Sequence, residues 1–282
     1  MMFPIKNTMA ITLRSTKNKG YNISLNELLD HPRIQKIVPW IVPLSVLILW
    51  EISSRTGLLS TRILPAPSGV IATAYRLAST GELFQHIAIS AGRAISGFIV
   101  GGSIGFGLGL LNGFSRVAEK LLDSSLQMLR TIPNLALIPL VILWFGIGDQ
   151  ARLFLVSIGV FFPLYLNTFH GIRSVDPGLI EMGRVYGLKT PQLLWQIIFP
   201  GALSSILVGV RFSLGIMWLT LIVAETIAAD SGLGYMAMNA REFMQTDVVV
   251  LSIVIYALLG KLADAIARGL EAKFLAWNPN YQ

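Results

Sequence analysis

The chain has 282 residues, 54% of them hydrophobic and only 13% charged, against about 25% charged in a soluble domain, so a soluble fold is disfavoured before any motif is read. The absence of cysteine excludes disulfides, thiolate metal sites and cysteine nucleophiles. The net charge of +7 is carried in short loops and at the N-terminus, which fits the positive-inside pattern of a membrane protein and argues against nucleic-acid binding.

In chain order, residues 1–36 are basic (Lys6, Arg14, Lys17, Lys19, Arg33, Lys36) and precede the first long apolar run without a small-residue cleavage site close behind it. They are expected to form a cytosolic tail with one short amphipathic helix, "SLNELLDH", in which Ser24 and Glu27 have capping-box spacing. Six apolar segments follow, at about 37–53, 90–113, 126–147, 152–171, 201–226 and 248–270. Each is about the length needed to cross a bilayer as a helix. The expectation is an all-α membrane protein of about six transmembrane helices, with a transmembrane domain over 37–273 and a short C-terminal tail over 274–282. Counted by side, thirteen Lys and Arg fall with the N-terminus, and five (Arg55, Arg62, Arg76, Arg152, Arg241) fall opposite. That asymmetry places both termini in the cytosol.

After the first span, "LPAP" must be extended, because each Pro disfavours helix in the residue before it. Ser68 to Ala78 is then expected to form a short surface helix. In the second span Gly97, Gly101, Gly105, Gly109 and Gly113 recur every four residues. On a helix they make a stripe without side chains that lets another membrane helix approach closely. Simple helix packing is the plain reading of the stripe, and a sliding surface or subunit seam is the sharper one. No GxxxxGK[ST] loop occurs, so any ATP must be bound by another polypeptide. His31, His86 and His170 have no ligand spacing, and no metal is expected.

Several charges fall within or at the ends of spans. A charge at the bilayer centre costs about 2.5–3.5 kcal/mol, so such groups face protein or a water-filled path. Lys261, Asp264 and Arg268 are spaced to pair along one helix. Arg211 has no carboxylate within four residues, and a lone cation there suits an anionic substrate, unless it pairs across helices. Arg93 and Arg130 lie toward span ends and are expected to snorkel to the interface. Glu225 either lines a gate or bonds to "AADSGLGY". Arg211, Glu225, Arg130 and Arg93 are thus the candidate residues of a translocation path.

Between the fourth and fifth spans lies a partly charged insert, "EMGRVYGLKTPQLLWQIIFP", Glu181 to Pro200. Asp176-Pro177 is a helix start, Gly187 a stop, and Thr190-Pro191 a second start. Pro200-Gly201 is expected to interrupt again. The insert therefore reads as helix, bend, helix: a compact knob on the cytosolic face within a loop over 172–200.

Glu181, Gly187, Ile197 and Pro200 match the spacing of the "EAA" motif of ABC-importer permeases, with Met182 and Gly183 where Ala-Ala is usual and Phe199 where Leu is usual. The resemblance runs from about Val38 to Pro279. Within these permeases the chain looks most like the nitrate, taurine and sulfonate branch, and there most like the aliphatic-sulfonate permeases. "STRILPAPSGV", "LLDSSLQMLRTIPNLALIPLVILWFGIGD", "WLTLIVAETIAADSGLGYMAMNAREFMQTDVVV" and "YALLGKLAD" carry that likeness. It implies a type I ABC importer permease fold in the bacterial inner membrane, working as a homodimer with two copies of a cytosolic ABC ATPase and an external substrate-binding protein. ATP and Mg would be bound by the ATPase. The insert would be the coupling helix docked on it, through Glu181, Met182, Gly183, Arg184, Gly187 and Pro200. The permease itself would perform no bond chemistry. Alternatives left open are the same machine carrying taurine, nitrate or bicarbonate, or an ATP-independent channel or secondary transporter.

Overall fold

The computed structural model describes residues 32–277. The expected "SLNELLDH" helix, most of the basic tail and the last residues of the C-terminal tail lie outside the described residues. The chain divides into two units, Met1–Trp50 and Glu51–Gln282. Helix α1 is Pro32–Arg55. Within the first unit its Trp40, Val42, Leu44 and Leu49 side chains are exposed, which suits a helix solvated by lipid rather than by water.

The second unit is helical throughout its regular structure, with no strand among the described residues. "LPAP" is extended as expected, with Ala66 at φ −62° and ψ 143°, and Pro67 opens helix α2, Pro67–Ser79. Helix α2 turns Val70, Thr73 and Leu77 inward. Helix α3, Glu82–Phe114, starts at Gly81, whose φ of +80° is the left-handed turn that glycine adopts without strain.

The glycine stripe of α3 packs on helix α6, Asp149–Arg173. Val156, Ser157, Phe161, Thr168 and Ile172 meet Gly97, Gly101, Gly105, Gly109 and Gly113 in that order, so α3 and α6 run parallel. A Cβ on Gly101 would lie 2.6 Å from the Ser157 Cα, so no larger residue fits without driving the helices apart. The close approach lets Ser157 Oγ donate to the Gly97 carbonyl at 3.2 Å. The stripe is therefore spent on packing within the chain and is not a seam between subunits.

Parallel neighbours require a returning segment, and among the described residues that segment is an expected span that is broken. The third apolar segment is not one helix. Helix α4, Arg116–Arg130, and the run Asn134–Phe145, which ends in helix α5, Ile138–Phe145, meet at 85°. Pro133 is the cause: it disfavours helix at Ile132 and cannot donate to a preceding turn. Helix α4 is amphipathic and has no buried residue.

Helices α7, Pro177–Val185, and α8, Thr190–Leu193, form the insert. Pro200 does not interrupt the chain as expected. A π-helical turn, Leu194–Ile198, absorbs its missing N–H and leads directly into helix α9, Phe199–Ala228. Gly159 and Gly171 of α6 contact Thr220 and Ser205 of α9, so these two helices run antiparallel. Helices α10, Leu233–Glu242, and α11, Thr246–Phe274, complete the bundle. Among the described residues four stretches are long and apolar enough to cross a membrane: α3, α6, Thr190–Ile227 and α11. The bent pair, counted as one broken span, brings the number to five. The main core joins Val156, Val160, Trp218, Leu221 and Tyr256.

Candidate functional site

Three assemblies bear on function. The first is a knot at the Glu82 end of α3. Glu225, near the C-terminus of α9, is 1% exposed. Its carboxylate accepts from Arg93 Nη1 at 2.9 Å, Ser90 Oγ at 2.8 Å, Tyr256 OH at 2.9 Å and the Gly234 N–H at 3.0 Å. Gly232 and Gly234 are there because a Cβ on either would strike that carboxylate or the Glu225 side chain. Arg93, its side chain 9% exposed, also donates to Asp149 Oδ1 at 2.7 Å, the Ser231 carbonyl at 2.6 Å and Ser231 Oγ at 2.9 Å. Arg152 is buried and pairs with Asp149 at 2.7 Å and Asp230 at 3.6 Å. His86 Nδ1 accepts from the Gly232 N–H, and Ser90 Oγ from the Leu233 N–H. The segment before α10 is thus tied to α3, α6 and α9 together. Asp230, in the loop, has its carboxyl held below the usual carboxylate range by hydrogen bonding to its own backbone and to Ser231, with Arg152 and Arg93 adding to the effect.

This geometry corrects one sequence expectation. Arg93 does not snorkel to an interface, because the buried Glu225 carboxylate and the Ser231 carbonyl accept from its guanidinium. Arg152, counted with the outer-side cations, is a buried partner of two aspartates. Of the two readings of Glu225, the bond to "AADSGLGY" is realised, at Gly234. Arg130, the last residue of α4, is exposed and lies apart from the knot.

The second assembly is the knob. Asp176 Oδ1 accepts from the Gly178 N–H at 2.8 Å and caps α7 behind Pro177. Gly187, at φ +82°, turns the chain, and the Leu188 N–H closes on the Gly183 carbonyl at 3.0 Å. Gln192 Oε1 caps the Lys189 N–H at 2.9 Å and starts α8. Gly183 lies where a Cβ would come within 2.6 Å of both Leu193 and Ile197, so α7 rests directly on the next helical run. Ile180, Ile197 and Phe199 anchor the knob on Ile172, Val175, Ala202 and Ile206. Its other side is bare: Val185 and Tyr186 are 86% and 80% exposed, with Leu179, Met182 and Trp195 also exposed and Glu181 and Arg184 among them. Of the six residues expected to couple, Gly183 and Gly187 shape the knob, Glu181, Met182 and Arg184 face outward, and Pro200 lies beyond the π turn.

The third assembly surrounds Arg211. It is not a lone cation: its Nε donates to Asp264 Oδ1 of α11 at 2.9 Å, and its Nη1 is 3.6 Å from Glu271. Asp264 also pairs with Lys261 at 3.8 Å and Arg268 at 2.9 Å, as the sequence spacing allows. The sequence could not reveal the Arg211–Asp264 pair, nor the roles of Ser90, Asp149, Ser231 and Tyr256. The partners that join different helices are 31 to 138 residues apart, and no periodicity links them.

Comparison with known proteins agrees with this architecture. The family described as "Binding-protein-dependent transport system inner membrane component" matches residues 101–275. The chain is 60% identical to the protein named as an aliphatic sulfonates transport permease, SsuC, of Escherichia coli (strain K12), over 87% of this chain and 94% of that one. It is 46% identical to the protein of the same name from Bacillus subtilis (strain 168), over 86% and 88%. Among solved structures, an inward-facing conformation of the MetNI methionine ABC transporter superposes with a TM-score of 0.51 at 18% identity. That match covers 64% of this chain and 92% of the other, and it speaks to the fold.

Proposed function

We propose aliphatic sulfonates as the cargo of this chain, which belongs to the family of binding-protein-dependent transport system inner membrane components, the permeases of ABC importers. The single observation carrying the cargo is 60% identity along nearly the whole of the Escherichia coli protein named for that transport. The chain is a membrane translocation subunit. In our reading a separate cytosolic ATPase binds ATP and Mg, and the knob transmits its motion. Two features support the knob in that role. Its core side is fixed by Gly183 against Leu193 and Ile197, and its outer side is an apolar ridge with Glu181 and Arg184, suited to a protein groove.

In the same reading two permease copies pair, two ATPases dock on their knobs, and an external binding protein delivers cargo around residues 55–85 and 230–247. The knob end and both termini face the cytosol, in keeping with the distribution of Lys and Arg. Domain limits of 1–36, 37–273 and 274–282 remain part of this reading. ATP binding closes the ATPases, moves the knobs and opens the spans outward. Of the four candidate path residues, Arg211 is the one beside an open groove, whereas Arg93 and Glu225 are engaged with each other.

The test is uptake of labelled ethanesulfonate by proteoliposomes holding the permease, its ATPase and its binding protein. The expected result is ATP-dependent uptake, blocked by other alkanesulfonates and not by nitrate or bicarbonate. Uptake of taurine, nitrate or bicarbonate instead would keep the machine and replace the cargo. Uptake without ATP would make the chain a channel or secondary transporter.

A further inference from the structure

The cluster around Arg211 lies beside a groove of about 480 Å³, lined by Arg211, Phe212, Gly215 and Leu219 of α9 and by Gly260 and Asp264 of α11. The groove is chemically two-sided. One end holds a guanidinium that is 43% exposed, and the remainder is apolar wall. Gly215 and Gly260 form open floor, since a Cβ on either would meet nothing within 4 Å. The Lys261 and Arg268 side chains are also exposed beside it. So many exposed charges on two membrane helices cannot face hydrocarbon, so this face borders a water-filled path or protein. The cluster holds three cations (Arg211, Lys261, Arg268) and two anions (Asp264, Glu271), hence one positive charge in excess.

We propose that this groove is an amphiphilic anion site in which Arg211 takes the sulfonate head, the Gly215–Gly260 floor takes the alkyl tail, and Asp264 is an exchangeable counterion. The inference rests on the sulfonate reading above and deepens it. Asp264 is what makes exchange inexpensive. When an anion claims the Nε side of Arg211, Asp264 remains neutralised by Arg268 at 2.9 Å and Lys261 at 3.8 Å on its own helix, and Glu271 keeps the Nη1 side at 3.6 Å. When the anion leaves, Asp264 returns to Arg211. A cation with such a competitor holds its ligand weakly, and weak holding permits release.

The experiment measures equilibrium binding of labelled ethanesulfonate and butanesulfonate to the full chain with its ATPase in lipid nanodiscs, without the binding protein. Asp264→Asn removes the competitor, and about tenfold tighter binding of both anions is expected. Arg268→Gln removes the nearer substitute cation, leaves Asp264 to Arg211 and the more distant Lys261, and should weaken binding several-fold. Arg211→Gln should abolish binding, and Arg211→Lys should restore part of it. Gly215→Val fills the floor and should weaken butanesulfonate about tenfold more than ethanesulfonate. A purely structural ion pair predicts no tightening in Asp264→Asn and no opposite shift in Arg268→Gln. Either of those results overturns the counterion exchange, and equal effects of Gly215→Val on both chain lengths overturn the tail site. ATP-driven uptake by the wild type separates the two levels. Sulfonate import with unaltered binding in Asp264→Asn refutes this inference alone, whereas import of nitrate without sulfonate refutes the cargo reading beneath it.

Discussion

Replacing Glu225 with Ala tests whether the knot holds the bundle end together. The carboxylate has four donors, at 2.8–3.0 Å, and is 1% exposed. In the variant Arg93 keeps Asp149 and Ser231, so its charge is not wholly orphaned. Ser90 still accepts from the Leu233 N–H, but its own hydroxyl, the Tyr256 hydroxyl and the Gly234 N–H lose their acceptor. At about 1–3 kcal/mol for each buried unsatisfied group, partly relieved by relaxation, the loss comes to about 3–5 kcal/mol. Breaking a buried ion pair from one side costs a similar amount. At about 2–4 °C per kcal/mol for a chain of this size, Tm should fall by about 6–20 °C. Glu225→Gln keeps the volume but points its NH2 at donors on either oxygen's side, and should cost about 2–3 kcal/mol. Adding Arg93→Met to Glu225→Ala should cost less than the sum of the two single changes, by at least about 1 kcal/mol. The assay is thermal unfolding in detergent followed by tryptophan fluorescence, to which Trp218 reports directly, 6.3 Å from Tyr256. A Tm within about 2 °C of wild type, or additive single changes, would refute the reasoning.

The remaining predictions follow from packing, the knob and the loop charge. Gly101→Ala must push α3 off the Ser157 backbone and should cost about 2–3 kcal/mol, whereas Gly107→Ala, with nothing within 4 Å, should be neutral or stabilise by up to about 1 kcal/mol. Equal Tm values for the two variants would contradict the parallel α3–α6 contact. Gly183→Leu should displace α7 from Leu193 and Ile197, and reversing Glu181 or Arg184 should weaken retention of the ATPase on a permease affinity column. Unchanged retention in all three would remove the knob from the coupling role. Asp230, its carboxyl held low, stabilises above its unfolded value of about 3.9, and that contribution disappears as pH falls through its lower folded value. Tm measured from about pH 3 to 6 should therefore fall less steeply in Asp230→Asn than in wild type; parallel curves would show that the loop charge is uncoupled from folding.

The sequence alone determined the solvent, the helices and the knob. These depend on short-range rules: apolar run length against bilayer thickness, proline and glycine against backbone freedom, and an aspartate ahead of a proline as a helix start. Gly187 could be read as a stop because a left-handed residue must follow the helix, and the structure gives it φ +82°. The same rules missed what Pro133 does to the third segment, since hydropathy averages over a bend without detecting it. They also could not tell that Pro200 would be carried through by a π turn, because the choice depends on α7 lying against Leu193 and Ile197. Only the tertiary structure decided the fate of the charges. Arg93 and Glu225 are 132 residues apart, and Arg211 and Asp264 are 53 apart. A charge in a membrane helix must find a partner or water, and the sequence states that requirement. Which partner is found depends on which helix faces meet, and that is set by the glycine stripe, the bend at Pro133 and the packing of α9 between α6 and α11.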